Sequence, residues 1–195
     1  MSSEEDCDVE RHFPLHVAAE AGDVETVKRL IADAKDEDAQ YADQAGMWGG
    51  ASMNAKEDML NERSNRGWTP LHVALAARQL GVVEVLLEEG AEPRKLDGSP
   101  CLHFTLTLAA SGAPGTKEFV EKAAALLLPK VDALAKDDRR QTALHVAATY
   151  GLPGITAALC AAGGAELLEV KDRTGHRAMH YAAMNRNGAG GGEGD

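Results

Sequence analysis

Two pairs of histidines in this sequence have a spacing that suits metal binding. His12 and His16, and again His176 and His180, stand four residues apart. Each pair could therefore lie on one helix face, as the zinc-binding pairs of metalloproteases do. No glutamate follows the first histidine of either pair, and Pro14 interrupts the first pair. We therefore predict no metal site and interpret these histidines as structural.

The other reactive groups do not assemble a catalytic or cofactor site. The segment 112–117, GAPGTK, is similar to a phosphate-binding loop but lacks the four-residue gap before Gly-Lys-Ser/Thr, and no predicted strand precedes it. It is predicted to be a helix–helix connector. Cys7, Cys101 and Cys160 have no CxxC spacing, which is typical of free thiols in a reducing compartment. Because adjacent positions supply no nucleophile–base or carboxylate pair, we predict a non-catalytic protein without a cofactor.

The amino-acid composition restricts which residues can form the core and which classes of partner the chain can bind. The 195 residues are 44% hydrophobic but only 4% aromatic, so the core must consist mainly of alanine, valine and leucine. The formal net charge of −11 argues against a general nucleic-acid binder, because phosphate binding needs a positive field. The N-terminus, MSSEEDCDVE, lacks a secretory apolar region, and no run of about 18 apolar residues occurs. We predict a cytoplasmic location away from membranes, with the nucleus or a cilium as alternatives.

The elements that would position these side chains occur as repeats. The segment FPLHVAA recurs as TPLHVAL, PCLHFTL, TALHVAA and RAMHYAA, with its histidine at His16, His72, His103, His145 and His180. In the second copy, Pro70 after Thr69 favours the start of a helix, and Leu71, Ala74 and Leu75 fall on one helical face. A second apolar run follows in at least three copies. One such helix pair is too small to bury its apolar face, so neighbouring pairs must stack on it.

A period near 33 with a Thr-Pro-Leu-His-x-Ala core resembles the ankyrin-repeat family. The resemblance implies an all-α ankyrin-repeat solenoid of stacked helix–turn–helix units with finger loops. The resemblance covers residues 11–187. Within this range the predicted repeats are 11–34, 66–97, 98–135, 138–170 and 173–187, with an insertion at 35–64. An acidic tail is predicted at 1–10 and a Gly-rich tail at 188–195. In the family, the motif residues shape the turns and join adjacent repeats. This structural role is carried over to Pro14, His16, Thr69, Pro70, His72, His103, Thr142, His145 and His180.

Several copies depart from the pattern. Arg78 replaces the glycine that ends the first helix in other copies, so the turn of copy two is expected to differ. Copy five stops after one helix. Its Ala182 and Ala183 are expected to need cover from copy four on one side, with the other side left open.

The insertion is the largest departure, with about 23 residues beyond the usual period. It is expected to be a connecting loop that carries Tyr41 and Trp48, followed by a short helix in NAKEDMLNER with Met59 and Leu60 on one face. Long loops of this kind are often functional. Trp48 has two open interpretations, an anchor for a partner or a plug packed back on the repeats.

The resemblance implies recognition of a protein partner, whose identity the sequence does not give, rather than of nucleic acid, membrane or a small-molecule substrate. The expected role is an adaptor, scaffold or assembly factor. The alternative is a structural subunit of a larger assembly, such as a cytoskeletal or ciliary complex.

Basic finger positions suggest an acidic partner, although charged turn tips can also be merely solvated. The predicted partner-binding residues are Tyr41, Trp48, Arg66, Trp68, Arg94, Lys136, Arg139, Arg140, Tyr150 and Arg173. Asp172 and His176 also fall at finger positions.

Overall fold

The fold is helical. A computed structural model describes residues 13–48, 54–93, 99–111 and 113–189, with the side chains of these ranges except those of 41–48 and 186–189. Within these ranges there are helices and turns but no β-strand, so the predicted all-α class is confirmed. The chain divides into two compact units, Met1–Glu92 and Pro93–Asp195. The predicted acidic tail at 1–10 and residues 190–195 of the predicted Gly-rich tail at 188–195 lie outside the described residues.

The first unit contains five described helices. They are α1 (Pro14–Ala21), α2 (Val24–Trp48), α3 (Ala55–Asn61), α4 (Pro70–Ala76) and α5 (Leu80–Glu88). Helix α1 packs on α2 and α4, and α4 packs on α5. Proline stands at the first turn of both α1 and α4, where it loses no helical hydrogen bond. The core is formed mainly by aliphatic side chains, namely Leu15, Val27, Ile31, Leu60, Leu71, Leu75, Val82 and Leu86.

The second unit contains five more α-helices among the described residues. They are α6 (Cys101–Thr107), α7 (Thr116–Leu127), α8 (Ala143–Tyr150), α9 (Pro153–Glu169) and α10 (Ala178–Ala189). Helix α8 contacts α6, α9 and α10, so the three repeats of this unit stack in chain order. A 3₁₀ helix at Leu108–Ser111 follows α6, and the last two residues of the predicted connector GAPGTK, Thr116 and Lys117, already belong to α7. Helix α9 is broken at Gly164. Cys101 is fully buried at the start of α6, and burial raises the pKa of its thiol to about 12.

The turn after the first helix has the same backbone conformation in three repeats. Gly22 and Gly151 end α1 and α8 with φ of 76° and 63°. Arg78, at the matching position after α4, has φ of 60°. The prediction of a different turn in copy two was therefore wrong. The arginine accepts the left-handed conformation that glycine adopts without steric cost.

The insertion is partly helical rather than a loop. Helix α2 continues to Trp48, so the prediction of a connecting loop from residue 35 was wrong for residues 35–48. The physical reason is local, because AKDEDAQYADQAGM is rich in alanine, glutamine and other good helix formers and contains no proline. The predicted short helix is confirmed as α3, with Leu60 buried and Met59 half-buried.

Polar contacts fasten α3 to the rest of the first unit. Both carboxylate oxygens of Asp38 accept hydrogen bonds from the N-terminus of α3, at 2.6 Å from the Ala55 nitrogen and 3.1 Å from the Lys56 nitrogen. Glu89 forms ion pairs with Lys35 at 2.7 Å and with Lys56 at 2.9 Å. The end of the insertion is therefore a packed part of this unit.

The last described helix leaves an apolar side open. Helix α10 packs on α8 and runs two residues past the predicted repeat boundary at 187. Ala178 is buried, but Ala182 and Ala183 are exposed, so the expected cover from copy four does not bury these two alanines. Met179 and Met184 are 68% and 60% exposed. None of the described helices is both long and apolar enough to cross a bilayer.

Candidate protein-interaction surface

Two motif histidines, His72 and His145, cap the helices on which they lie. In α8, the ring Nδ1 of His145 accepts a hydrogen bond from the Thr142 amide at 3.2 Å and lies 2.9 Å from the Thr142 hydroxyl. In α4, His72 and Thr69 repeat this arrangement, with 3.4 Å and 2.8 Å for the same two contacts. Because Nδ1 is an acceptor in both rings, each neutral imidazole carries its proton on Nε2.

The other ring nitrogen holds the turn that precedes the next repeat. His16 Nε2 donates to the Trp68 carbonyl at 2.9 Å, and His103 Nε2 donates to the Gln141 carbonyl at 2.9 Å. His145 Nε2 donates to the His176 carbonyl at 3.3 Å. His180, in the last described helix, is exposed. The buried motif histidines thus position finger turns, which is a structural task.

The cap of α1 is incomplete. Phe13 precedes α1 where Thr69 and Thr142 stand in other copies. Its ring packs edge-on against His16 at 5.1 Å, and His16 Nδ1 has no hydrogen-bond partner among the described residues. Burial is the main cause that lowers the pKa of both His16 and His145, against the raising effect of their hydrogen bonds to carbonyls.

We expect acidification from pH 7.5 to 5.5 to lower the free energy of unfolding. A histidine of the unfolded chain has a pKa of about 6.5, while His16 and His145 have lower values in the fold. As the pH falls through 6.5, the unfolded state therefore binds more protons than the folded state, and the free energy of unfolding decreases. NMR titration of the two imidazoles and denaturant unfolding at both pH values measure this effect. Midpoints at or above 6.5 for both rings would contradict the explanation.

Two finger turns of the second unit share one design. In the first turn, Asp137 Oδ1 accepts hydrogen bonds from the amides of Arg139 at 2.9 Å and Gln141 at 2.7 Å. The amide of Arg140 closes the turn by donating to the Asp137 carbonyl at 2.9 Å. This carboxylate therefore stabilises the turn by binding its backbone amides and does not project from its tip.

In the second turn, Asp172 occupies the same place. Its Oδ1 accepts from the amides of Thr174 at 2.8 Å and His176 at 2.9 Å, and its Oδ2 accepts from the Tyr181 hydroxyl. Burial alone would raise the pKa of Asp172, but these hydrogen bonds outweigh it and hold the pKa well below its usual range. Asp172 was predicted among the finger positions that set the partner. It is in fact buried, because its oxygens satisfy backbone donors.

The two finger turns are joined to each other. The Arg173 amide donates to the Arg139 carbonyl at 2.9 Å. The Gln141 side chain donates to the Tyr181 hydroxyl at 3.0 Å, and this hydroxyl donates in turn to Asp172. Sequence reasoning missed this network. The signal was an aspartate three residues before Arg140 or Gly175, the residue that takes a positive φ in each turn.

The tips of the two joined turns are positively charged. We name their five exposed cations, Lys136, Arg139, Arg140, Lys171 and Arg173, the basic finger patch. None of the five has an ion-pair partner among the described residues. Asp138 is the exposed carboxylate of these two turns. Arg177, which follows the second turn, is paired with Glu169 at 2.8 Å.

The remaining predicted partner residues have different exposures. Arg66 is exposed at the finger turn of the first unit, while Trp68 and Tyr150 are half-buried. Arg94 lies outside the described residues. Tyr41 and Trp48 belong to the backbone of α2, but their side chains lie outside the described part of the structure. Both roles considered for Trp48 therefore stay predictions.

The histidine pairs do not form a metal centre in the part of the chain that the structure describes. His176 and His180 lie with ring centroids 5.4 Å apart. However, Nδ1 of His176 is hydrogen-bonded to the Thr174 hydroxyl, and Nδ1 of His180 accepts a hydrogen bond from the Arg177 amide. No group of three or more possible ligands occurs among the described side chains. His12 lies outside them.

Comparison with known proteins agrees with the repeat architecture. A family model described as ankyrin repeats matches three copies, over residues 2–97 and 106–189. The chain is 32% identical to NF-kappa-B inhibitor delta of Mus musculus over 130 residues, which are 67% of this chain and 28% of that protein. It is 27% identical to inversin of Homo sapiens over 173 residues, which are 89% of this chain and 14% of inversin. The chain thus spans less than a third of either relative.

Proposed function

Because this chain belongs to the ankyrin-repeat family, which is generally non-catalytic, we propose that it is a protein-interaction module acting as an adaptor, scaffold or assembly factor. Repeat arrays of this kind use extended surfaces of stacked repeats to bind partners. The murine relative is named as an inhibitor of NF-kappa-B, and inhibition through binding fits such a module. We place the activity in the cytoplasm, with the nucleus or a cilium as alternatives.

The observation that carries this proposal is the construction of the joined finger turns in the second unit. Asp137 and Asp172 use their carboxylates to hold the backbone, and a backbone hydrogen bond fixes one turn to the other. The outward side chains of Arg139 and Arg173 take part in no ion pair among the described residues. A finger backbone that is already fixed loses little conformational freedom on binding, which favours affinity.

A site-specific crosslinking experiment tests the proposal independently of the partner's charge. Arg139 or Arg173 is replaced by the photoreactive residue benzoylphenylalanine, with Lys117 on α7 replaced in the control protein. Lys117 is exposed in the same unit but lies on a second helix. We expect the two finger positions to form covalent adducts with the same protein in a cell extract and the Lys117 position to form none. Equal adduct patterns at all three positions would reject the fingers as the binding surface.

The alternative, a structural subunit of a larger assembly, is favoured by one feature. Met179 and Met184 are 68% and 60% exposed on α10, and a neighbouring subunit that covers large apolar side chains removes them from water. Under this alternative the protein in a cell extract sediments in a large complex. Under the adaptor proposal it sediments as a small species with one partner.

A further inference from the structure

The basic finger patch differs in charge from the rest of the chain. The chain has a net charge of −11, yet the tips of two adjacent turns expose five cations and one carboxylate. The other two carboxylates of these turns, those of Asp137 and Asp172, point inward and accept backbone hydrogen bonds. Their negative charge is thus engaged in holding the turns, while the positive charge is left at the tips.

The fingers are also held close together. The hydrogen bond from the Arg173 amide to the Arg139 carbonyl brings the two backbones to about 5 Å, the spacing of hydrogen-bonded neighbouring chains. The cations therefore form one cluster and not two isolated sites. Neither arginine at this junction has an ion-pair partner among the described residues.

Arg140 occupies a position at which the other described finger turns have glycine. Gly67 and Gly175 close their turns with φ of 77° and 83°, and Arg140 does so with φ of 59°. A side chain in this conformation is sterically unfavourable. The exposed side chain of Arg140 makes no ion pair among the described residues that would offset this strain.

Three observations point the same way: the excess of cations at the finger tips, the backbone hydrogen bond that joins the two fingers, and the exposed side chain of Arg140. We infer that the basic finger patch binds an extended acidic segment of a protein partner, an inference that rests on the proposed interaction role. The guanidinium group donates two parallel hydrogen bonds to a carboxylate, which makes arginine suited to such a ligand. Side chains on one side of an extended chain recur about every 7 Å, so alternate carboxylates of an extended acidic segment can face the patch together. A short protein segment can reach the patch alone, whereas a long nucleic acid would also approach the acidic remainder of the chain.

The test uses a labelled deca-glutamate peptide as the probe and the full chain as the receptor. Binding is measured by fluorescence anisotropy at low and high salt. A deca-glutamine peptide of equal length serves as the neutral control, and a ten-nucleotide oligothymidine serves as the nucleic-acid control. We expect the chain to bind deca-glutamate, to lose this binding at high salt, and to bind both controls more weakly.

Three variants locate the effect. Arg139→Glu/Arg140→Glu is expected to weaken deca-glutamate binding by about tenfold or more. Arg140→Gly removes the side chain while relieving its positive φ, so it is expected to keep the fold and still weaken binding. Lys117→Glu changes the net charge on an exposed helix of the same unit and is expected to leave the affinity within about twofold.

Equal affinities of Arg140→Gly, Lys117→Glu and the unchanged chain would overturn the inference, as would tighter binding of oligothymidine than of deca-glutamate. Failure of the peptide to bind would also overturn it. None of these outcomes would affect the crosslinking of a partner at Arg139 and Arg173, so the acidic-segment inference and the proposed interaction role fail separately.

Discussion

Leu71→Ala is expected to lower the free energy of unfolding by about 2–5 kcal/mol, the range found for buried leucine truncations. Leu71 lies in α4 with none of its surface exposed, and α4 packs against both α1 and α5. The substitution therefore leaves a cavity at the centre of the first unit. Urea unfolding followed by circular dichroism and by tryptophan fluorescence measures the change.

Leu168→Ala is the matched control, because the same side chain is 39% exposed on α9. We expect it to change stability by no more than about 0.5 kcal/mol, as surface substitutions usually do. A loss below this value for Leu71→Ala as well would show that α4 does not hold the first unit together.

Asp172→Ala is expected to lower the free energy of unfolding by at least about 2 kcal/mol, because a carboxylate that accepts several hydrogen bonds is removed and its donors lose their acceptor. The donors are the amides of Thr174 and His176 and the hydroxyls of Thr174 and Tyr181. Thermal unfolding at pH 7 measures the loss. Asp138→Ala, an exposed carboxylate in the preceding finger turn, is the control and should be nearly neutral.

The pH dependence of this variant gives a second check. The pKa of Asp172 is lowered in the fold, while an unfolded aspartate has a pKa of about 3.9. The stabilisation is therefore complete above pH 3.9 and is lost as the pH falls through the folded value. The difference between the unchanged chain and Asp172→Ala should shrink in acid. A difference that stays constant down to pH 2 would assign the effect to packing and not to the charge.

The repeat helices could be predicted from sequence because their signals are local. Pro70 at a first helical position, Thr69 as its cap and the buried leucines follow from neighbouring residues alone. The extension of α2 could not be predicted from the repeat period, since an insertion length does not say whether the extra residues continue a helix. Here the helix propensity of residues 35–48 was the stronger signal.

The finger surface was harder to predict than the helices. The basic tips of Arg139 and Arg140 could be placed from the repeat register, but the inward direction of Asp172 depends on Tyr181 and on backbone amides that only the folded turn presents. Arg78 and Arg140 adopt positive φ values that glycine usually takes. Their conformation is imposed by the surrounding repeat and not by their own preference.

The buried thiol at the start of α6 also affects how the second unit can be studied. Alkylating reagents attack the thiolate, and Cys101 is shielded from solvent with its ionisation strongly suppressed. Cys101 must therefore become reactive mainly when its repeat opens, while the half-buried Cys160 is modified more readily. Mass spectrometry of timed labelling can thus follow local opening of the third repeat in the unmodified chain. Cys101 is in effect a built-in kinetic reporter.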